Sequence, residues 1–214
     1  MRHSPNRRYH SPRRSQQAEA TRQAIVKAAR KLFAEHGYQA TTLQAVARKA
    51  EVSVPTLYAA FGSKAAILSA LVKSAGADEE IRSVAEAVFA EPDPRLQLRL
   101  AARVIRSIHE RDADISDLLW QAGGGDPDLA DAWRQSHHQQ LVRQGELMEV
   151  LAGKQALKAG LPSEMATEIH WAVSSPEVYR LLVRERGWPP SRYENWLAES
   201  TATLLLRDSE PAQA

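Results

Sequence analysis

From Thr21 onward, Ile25, Ala28, Ala29, Leu32 and Phe33 recur at three- and four-residue intervals, and Gly37 follows. This spacing predicts an amphipathic helix of about four turns with a glycine C-cap. A second, shorter helix begins at Thr41 or Thr42, either of which suits an N-cap, and carries Leu43, Val46, Ala47 and Ala50. After a break at Glu51-Val52-Ser53, Ser53 caps a very short third helix that ends near Gly62; Pro55 sits in its first turn, where a missing N–H costs nothing. Ser63 then caps a fourth helix bearing Ala66, Ile67, Leu68, Leu71 and Val72, running outward toward the rest of the protein.

Beyond these, the chain reads as helical almost throughout. It is punctuated at Glu91-Pro92-Asp93-Pro94, at the Gly123-Gly124-Gly125-Asp126-Pro127 loop, at Gly160-Leu161-Pro162, at Ser175-Pro176 and at Gly187-Trp188-Pro189-Pro190. No segment alternates apolar and polar residues over a strand's length, and five or six helices fill the intervals. The fold class expected is therefore all-α: an N-terminal three-helix helix-turn-helix domain followed by a larger helical bundle. The domain boundaries are set at 1–18 for a disordered basic arm, 19–65 for the helix-turn-helix domain, 66–208 for the bundle and 209–214 for a tail. The arm, rich in Arg, Pro, Ser and His and nearly free of aliphatic residues, cannot bury a core.

Composition narrows the function classes. With 43% apolar residues in 214, the chain can build a real core, and zero cysteines exclude disulfides, Cys-ligated metals and a cysteine nucleophile. No apolar run reaches the length of a membrane span, and the arginine pairs Arg7-Arg8 and Arg13-Arg14 lack the apolar segment of an export signal, so a cytoplasmic protein without membrane association is expected. The net charge of +2 conceals a strong asymmetry: residues 1–64 hold twelve Lys/Arg against three acids, net +9, and the remainder is −7. One end is suited to a polyanion. Membrane surfaces are anionic as well, so charge alone does not decide the partner.

The stretch from Thr42 to Phe61 decides it. A helix, a tight turn and a second steeply angled helix place one helix end in a DNA major groove while the other braces it. Leu43, Val46 and Ala47 face inward, with Val52 and Leu57 holding the angle. Outside remain Thr42, Gln44, Ser53, Val54, Pro55, Thr56 and Tyr58. Ser53, Thr56 and Tyr58 donate hydroxyl hydrogen bonds to phosphates, and Lys64 adds a point charge. Gln44 pairs with adenine, while Val54, Pro55 and Thr56 offer apolar atoms to a thymine methyl. The basic arm is either a solvated segment or an extension into a minor groove.

From Arg22 to Leu71 the chain resembles the DNA-binding domain of the TetR family. The resemblance rests on His36-Gly37-Tyr38, Thr41-Thr42, Ala45-Val46-Ala47, Val52-Ser53, Thr56-Leu57-Tyr58, Phe61 and Ser63-Lys64. It implies DNA contacts at Thr42, Gln44, Val54, Thr56, Tyr58 and Lys64. Two positions depart from the family pattern: Glu51 stands where Gly is common, implying a strained or left-handed residue, and Ala59 replaces a larger or basic one, removing a groove contact. A weaker similarity runs from Ser175 through Trp188 and Tyr193 to Leu206. It implies a homodimer whose closing helices form a four-helix interface through Val178, Leu181, Leu182, Trp196, Leu197, Leu204 and Leu205.

The middle of the chain is where such a regulator encloses a small-molecule effector. Ile105, His109, Trp120, Trp133, His137 and Trp171 are candidate lining residues, each also readable as ordinary core. Asp126, Asp128, Asp131, His137 and His138 can be drawn as a metal cluster, but Asp-Pro-Asp before a helix is ordinary capping. No metal site, cofactor or catalytic residues are expected, and the chain is not read as an enzyme. The reading is a ligand-responsive regulator of double-stranded DNA, a repressor bound to a palindromic operator as a homodimer. The alternative is a helical small-molecule-binding protein without operator recognition.

Overall fold

The computed structural model describes residues 12–74, 79–120 and 126–208 and contains no strand among them. The chain divides into two compact units, Met1–Leu71 and Val72–Ala214. The first is built from α1 (Pro12–His36), α2 (Leu43–Lys49), α3 (Val54–Phe61) and most of α4 (Lys64–Lys73), within which the division falls.

Helix α1 starts nine residues before Thr21, so residues 12–18 are helical where a mobile arm was expected. Lack of apolar residues was the wrong criterion: Arg, Gln, Ala and Glu are good helix formers that extend an already nucleated helix without burying anything. Pro12 opens it, where its missing N–H is harmless, and Gln23 Nε2 donates to Glu19 Oε1 at 3.1 Å one turn away. Residues 1–11 of the expected arm lie outside the described residues, as do the triple-glycine loop and the tail 209–214.

Ile25, Ala29, Phe33, Val46, Ala47 and Leu57 are fully excluded from solvent and form the core of this unit. Helices of seven and eight residues do not persist alone, so α2 and α3 exist because that core holds them. Gly37 turns the chain at φ 80° and donates its N–H to Phe33 O at 2.9 Å. Buried Thr41 donates its hydroxyl to Gly37 O at 2.8 Å. Two cations finish the scaffold. Lys64 Nζ donates to Tyr38 O at 2.8 Å, Thr41 O at 3.2 Å and Gln39 O at 3.4 Å, and lies 4.2 Å from the Tyr38 ring centroid. The Arg22 guanidinium donates to Ala60 O and stacks 4.1 Å from the Phe61 ring centroid, tying α1 to the end of α3.

The second unit contains α5 (Glu79–Ala90), α6 (Pro94–Arg111), α7 (Ala113–Trp120), α8 (Pro127–Gly153), α9 (Ser163–Val173), α10 (Pro176–Tyr179), a π-helical stretch Arg180–Glu185, and α11 (Pro190–Leu205). This exceeds the expected number because two breaks carry no Gly or Pro. Asp112, buried at φ −106° and ψ 24°, separates α6 from α7, and α10 passes directly into the π turn, where Arg186 N donates to Leu181 O at 3.0 Å. The capping expected at Asp126 does form, and Asp93 caps α6 in the same way, each accepting from two backbone N–H groups at the helix start. Leu98, Leu147, Met148, Leu151 and Leu205 make one core cluster, and Ala102, Tyr179, Tyr193, Leu197 and Ala198 a second. Arg106 Nε donates to Glu194 at 2.6 Å and links α6 to α11.

A polar chain runs through this unit. His170 Nδ1–H donates to Gln144 Oε1 at 3.1 Å, Gln144 Nε2 donates to Ser174 Oγ at 3.0 Å, and Ser174 Oγ donates to Trp171 O at 3.4 Å. His109 Nε2–H donates to Ser174 O at 2.9 Å. Burial of both imidazoles lowers their pKa to about 4, so they are neutral at pH 7.

Two outcomes follow from these contacts. Lys64→Ala removes three carbonyl contacts and a cation–π contact, and costs about 1–3 kcal/mol in urea unfolding of the full chain; a cost near zero contradicts a structural Lys64. For the histidines, the folded pKa lies below the ordinary 6.5, so between about 4 and 6.5 the unfolded chain binds more protons. Their contribution is complete above about pH 6.5 and is lost as pH falls toward 4. Urea unfolding at about pH 7.5 and about pH 5 therefore shows lower stability in acid, with a smaller difference in His170→Gln; an equal difference in that variant contradicts the assignment.

Candidate functional site

Helix α3 is sided. Leu57 is fully buried, whereas Pro55, Thr56, Tyr58 and Ala59 are exposed and Val54 is half-buried. Tyr58 is 47% exposed, unusual for an aromatic in a unit this small, so its ring and hydroxyl are available to a partner. Gln44, Arg48 and Lys49 on α2, its cap Thr42, and Ser53 before α3 are exposed as well.

The turn between the helices is tight. Val52 N donates to Ala47 O at 3.0 Å and Glu51 N to Arg48 O at 3.2 Å. Glu51 adopts φ 56°, the left-handed conformation expected of this position, which for a residue with a Cβ costs on the order of 1 kcal/mol.

The caps change what the surface offers. Thr42 Oγ1 accepts from Ala45 N at 3.1 Å, making Thr42 rather than Thr41 the cap, and its hydroxyl donates to no group among the described residues. Ser53 Oγ accepts from Thr56 N at 3.1 Å and lies 2.7 Å from Thr56 Oγ1. One of these two hydroxyls donates to the other, so the pair presents one free hydroxyl hydrogen instead of the two expected from sequence. Lys64, expected as a free point charge, is held by the three carbonyls described above. Arg22 was not foreseen, because its partner lies 38 residues away and leaves no local pattern.

The residues expected to line an effector site separate into two groups. Ile105 and His109 line a cavity of about 290 Å³ bounded by α5, α6, α8 and α9, together with Ile81, Phe89, Gln140 and His170. Trp120, Trp133, His137 and Trp171 instead form a ladder, with successive ring centroids 6.1, 4.1 and 5.5 Å apart. Burial pulls the His137 imidazole down, but the Glu177 carboxylate, 3.5 Å from Nε2, and the Trp133 carbonyl hold its pKa above the ordinary value. The hollow beside Trp120 and Trp133 measures about 20 Å³, room for a water and no more. Another hollow of about 380 Å³, between α5 and α6, is walled largely by charged residues of both signs. The predominantly apolar 290 Å³ cavity with a few converging polar groups has the makeup of a small-molecule site.

The expected dimer residues also divide. Leu197 and Leu205 are fully buried in their own unit's core and are unavailable to a partner, a correction that follows from their shared helical face with Tyr193 and Thr201. Val178, Leu182 and Trp196 are half-buried against that core. Leu181 and Leu204 are 45% and 44% exposed.

No single helix among the described residues is long and apolar enough to cross a membrane; α3 and α4 are apolar enough together but are bent by 61°.

Comparison with known proteins meets this geometry at the same place. Residues 25–71 match the model of the bacterial regulatory proteins of the tetR family. The HTH-type transcriptional regulator HbdR of Aromatoleum sp. (strain CIB) is 45% identical over 56 residues, 26% of this chain; the match spans about a quarter of HbdR, 24% of its length. The uncharacterized HTH-type transcriptional regulator YdeS of Bacillus subtilis (strain 168) is 28% identical over 77% of this chain and 80% of its own. Among solved structures, NalD, the secondary repressor of the MexAB-OprM multidrug efflux pump in Pseudomonas aeruginosa, superposes with a TM-score of 0.68 at 24% identity, covering 91% of this chain and 100% of NalD. Its likeness extends the shared all-α fold beyond the matched segment. Residues 25–71, with their sided α3, thus match the DNA-binding segment of the bacterial regulatory proteins of the tetR family, and the chain shares its all-α fold with NalD.

Proposed function

We propose that the chain is a ligand-released repressor that binds a palindromic operator as a homodimer. The observation that carries the DNA half of this reading is the exposed face of α3, with Tyr58 and the Ser53–Thr56 pair outward while Leu57 is buried. Thr42, Tyr58 and the free hydroxyl of the Ser53–Thr56 pair position the domain on phosphates; Gln44, Val54, Pro55 and the Thr56 methyl read base edges. Lys64 contributes indirectly, by holding the α1–α2 loop beneath α4. Repression is proposed by analogy with NalD, which bears that description.

A two-fold dimer sets two recognition helices about one DNA turn or a multiple apart. Leu181 and Leu204 are the exposed apolar anchors on the closing helices, flanked by half-buried Val178, Leu182 and Trp196. An effector in the 290 Å³ cavity releases the operator only by binding the non-DNA-competent conformation more tightly.

Footprinting on DNA flanking the gene tests the reading: protection of an inverted repeat is expected. Tyr58→Phe weakens all sites alike, by about 1 kcal/mol, and Gln44→Ala relaxes base preference at one position of each half-site at a cost of about 1–3 kcal/mol. Uniform loss across sequences from Gln44→Ala contradicts the base-reading role. The double variant Leu181→Glu/Leu204→Glu sediments as a monomer with native helicity and loses operator binding; a dimer that persists contradicts the interface.

A further inference from the structure

The cavity between α5, α6, α8 and α9 has one apolar wall, from Ile81, Phe89 and Ile105 among others, and one polar wall on α8 and α9. Two of its lining groups, His109 and His170, are more than nine-tenths buried. Their protonation pattern follows from their partners. Ser174 O is a carbonyl and can only accept, so His109 carries its proton on Nε2. The chain from His170 Nδ1 through Gln144 and Ser174 ends at the Trp171 carbonyl, so every donor in it runs one way and His170 carries its proton on Nδ1. Nδ1 of His109 and Nε2 of His170 are thereby left as acceptors, and among the described residues neither has a hydrogen-bond partner.

We propose that this cavity binds an uncharged apolar molecule carrying a hydroxyl donor, whose hydrogen bond is accepted by the open ring nitrogen of His109 or His170. The inference rests on reading the cavity as the effector site and names the class of effector. Burial keeps both rings neutral at pH 7, so each offers a lone pair and no positive charge. Two cations line the cavity: Arg143, solvent-exposed with the carboxylate of Glu146 nearby, and Arg82 on α5, paired with Glu79. An anionic ligand would give up its hydration for little return. A hydroxyl-bearing one donates to a ring nitrogen that no described protein group occupies, and sites built to bond a hydroxyl reject the analogue lacking it.

The test uses the purified full-length protein without DNA and three probes of one shape: 4-hexylphenol, its methyl ether 4-hexylanisole, and 4-hexylbenzoate. Binding is read by tryptophan fluorescence and calorimetry. Saturable binding of the phenol is expected, with the ether and the benzoate each weaker by about tenfold or more. His109→Phe and His170→Phe keep a ring while removing the acceptor, and the variant at the bonded position brings phenol and ether to near parity. Should either variant lose its native helicity, the phenol-to-ether ratio of the unaltered protein decides alone. Equal affinity for phenol and ether, tighter binding of the benzoate, or no saturable binding of the phenol overturns the proposal. A protein that binds the phenol as expected yet keeps its operator contradicts the release mechanism and leaves this inference standing.

Discussion

Leu57 on α3 is completely excluded from water, as Val46 and Ala47 of α2 are, and its burial decides which face of α3 is left outside. Burying one leucine contributes roughly 2 kcal/mol, more than the intrinsic stability of an eight-residue helix can offer. The helix therefore exists only in the orientation the core dictates. Glu51 stands left-handed in the turn before it, and the Ser53 and Thr56 hydroxyls lie 2.7 Å apart at its start. Tyr58 points to solvent because Leu57, one residue before it, does not.

Much of the first domain was legible because its signals are local. Gly37, Thr42, Ser53 and Ser63 act on backbone groups within a turn of themselves, and apolar spacing marks the inward face of each helix. Glu51 could be flagged because the resemblance has glycine there. What escaped is long-range. Arg22 reaches Ala60 and Phe61, and Lys64 reaches the loop between α1 and α2, so a cation that reads as a free charge is held inside the fold. The extension of α1 back to Pro12 escaped for another reason: an exposed helix needs propensity and a nucleus, and has no apolar stripe to advertise it.

The second domain was less legible. Its all-α character followed from the breaks at Pro and Gly, but Asp112 and the π turn at Arg180–Glu185 divide helices without either residue. Apolar spacing could not say which leucines face a neighbouring helix and which face a partner. Leu197 and Leu205 belong to the core and Leu181 and Leu204 to the surface, a difference set by the face of α11 and the π turn that meets the rest of the bundle. The tryptophans and His137, attractive as ligand contacts, stack on one another, and the cavity is lined instead by residues such as Gln140, Gln144 and His170, which carry no distinctive sequence signal.

The proposed DNA contact is the outward face of α3 with the start of α2. Backbone amide resonances of the full-length protein, followed while a duplex selected from a random pool is added, test it most directly. Shifts are expected to concentrate at Thr42, Gln44 and Ser53 to Tyr58, with Val46 and Leu57 little changed. Perturbation elsewhere with that face silent, or no response to any duplex at low salt, contradicts it.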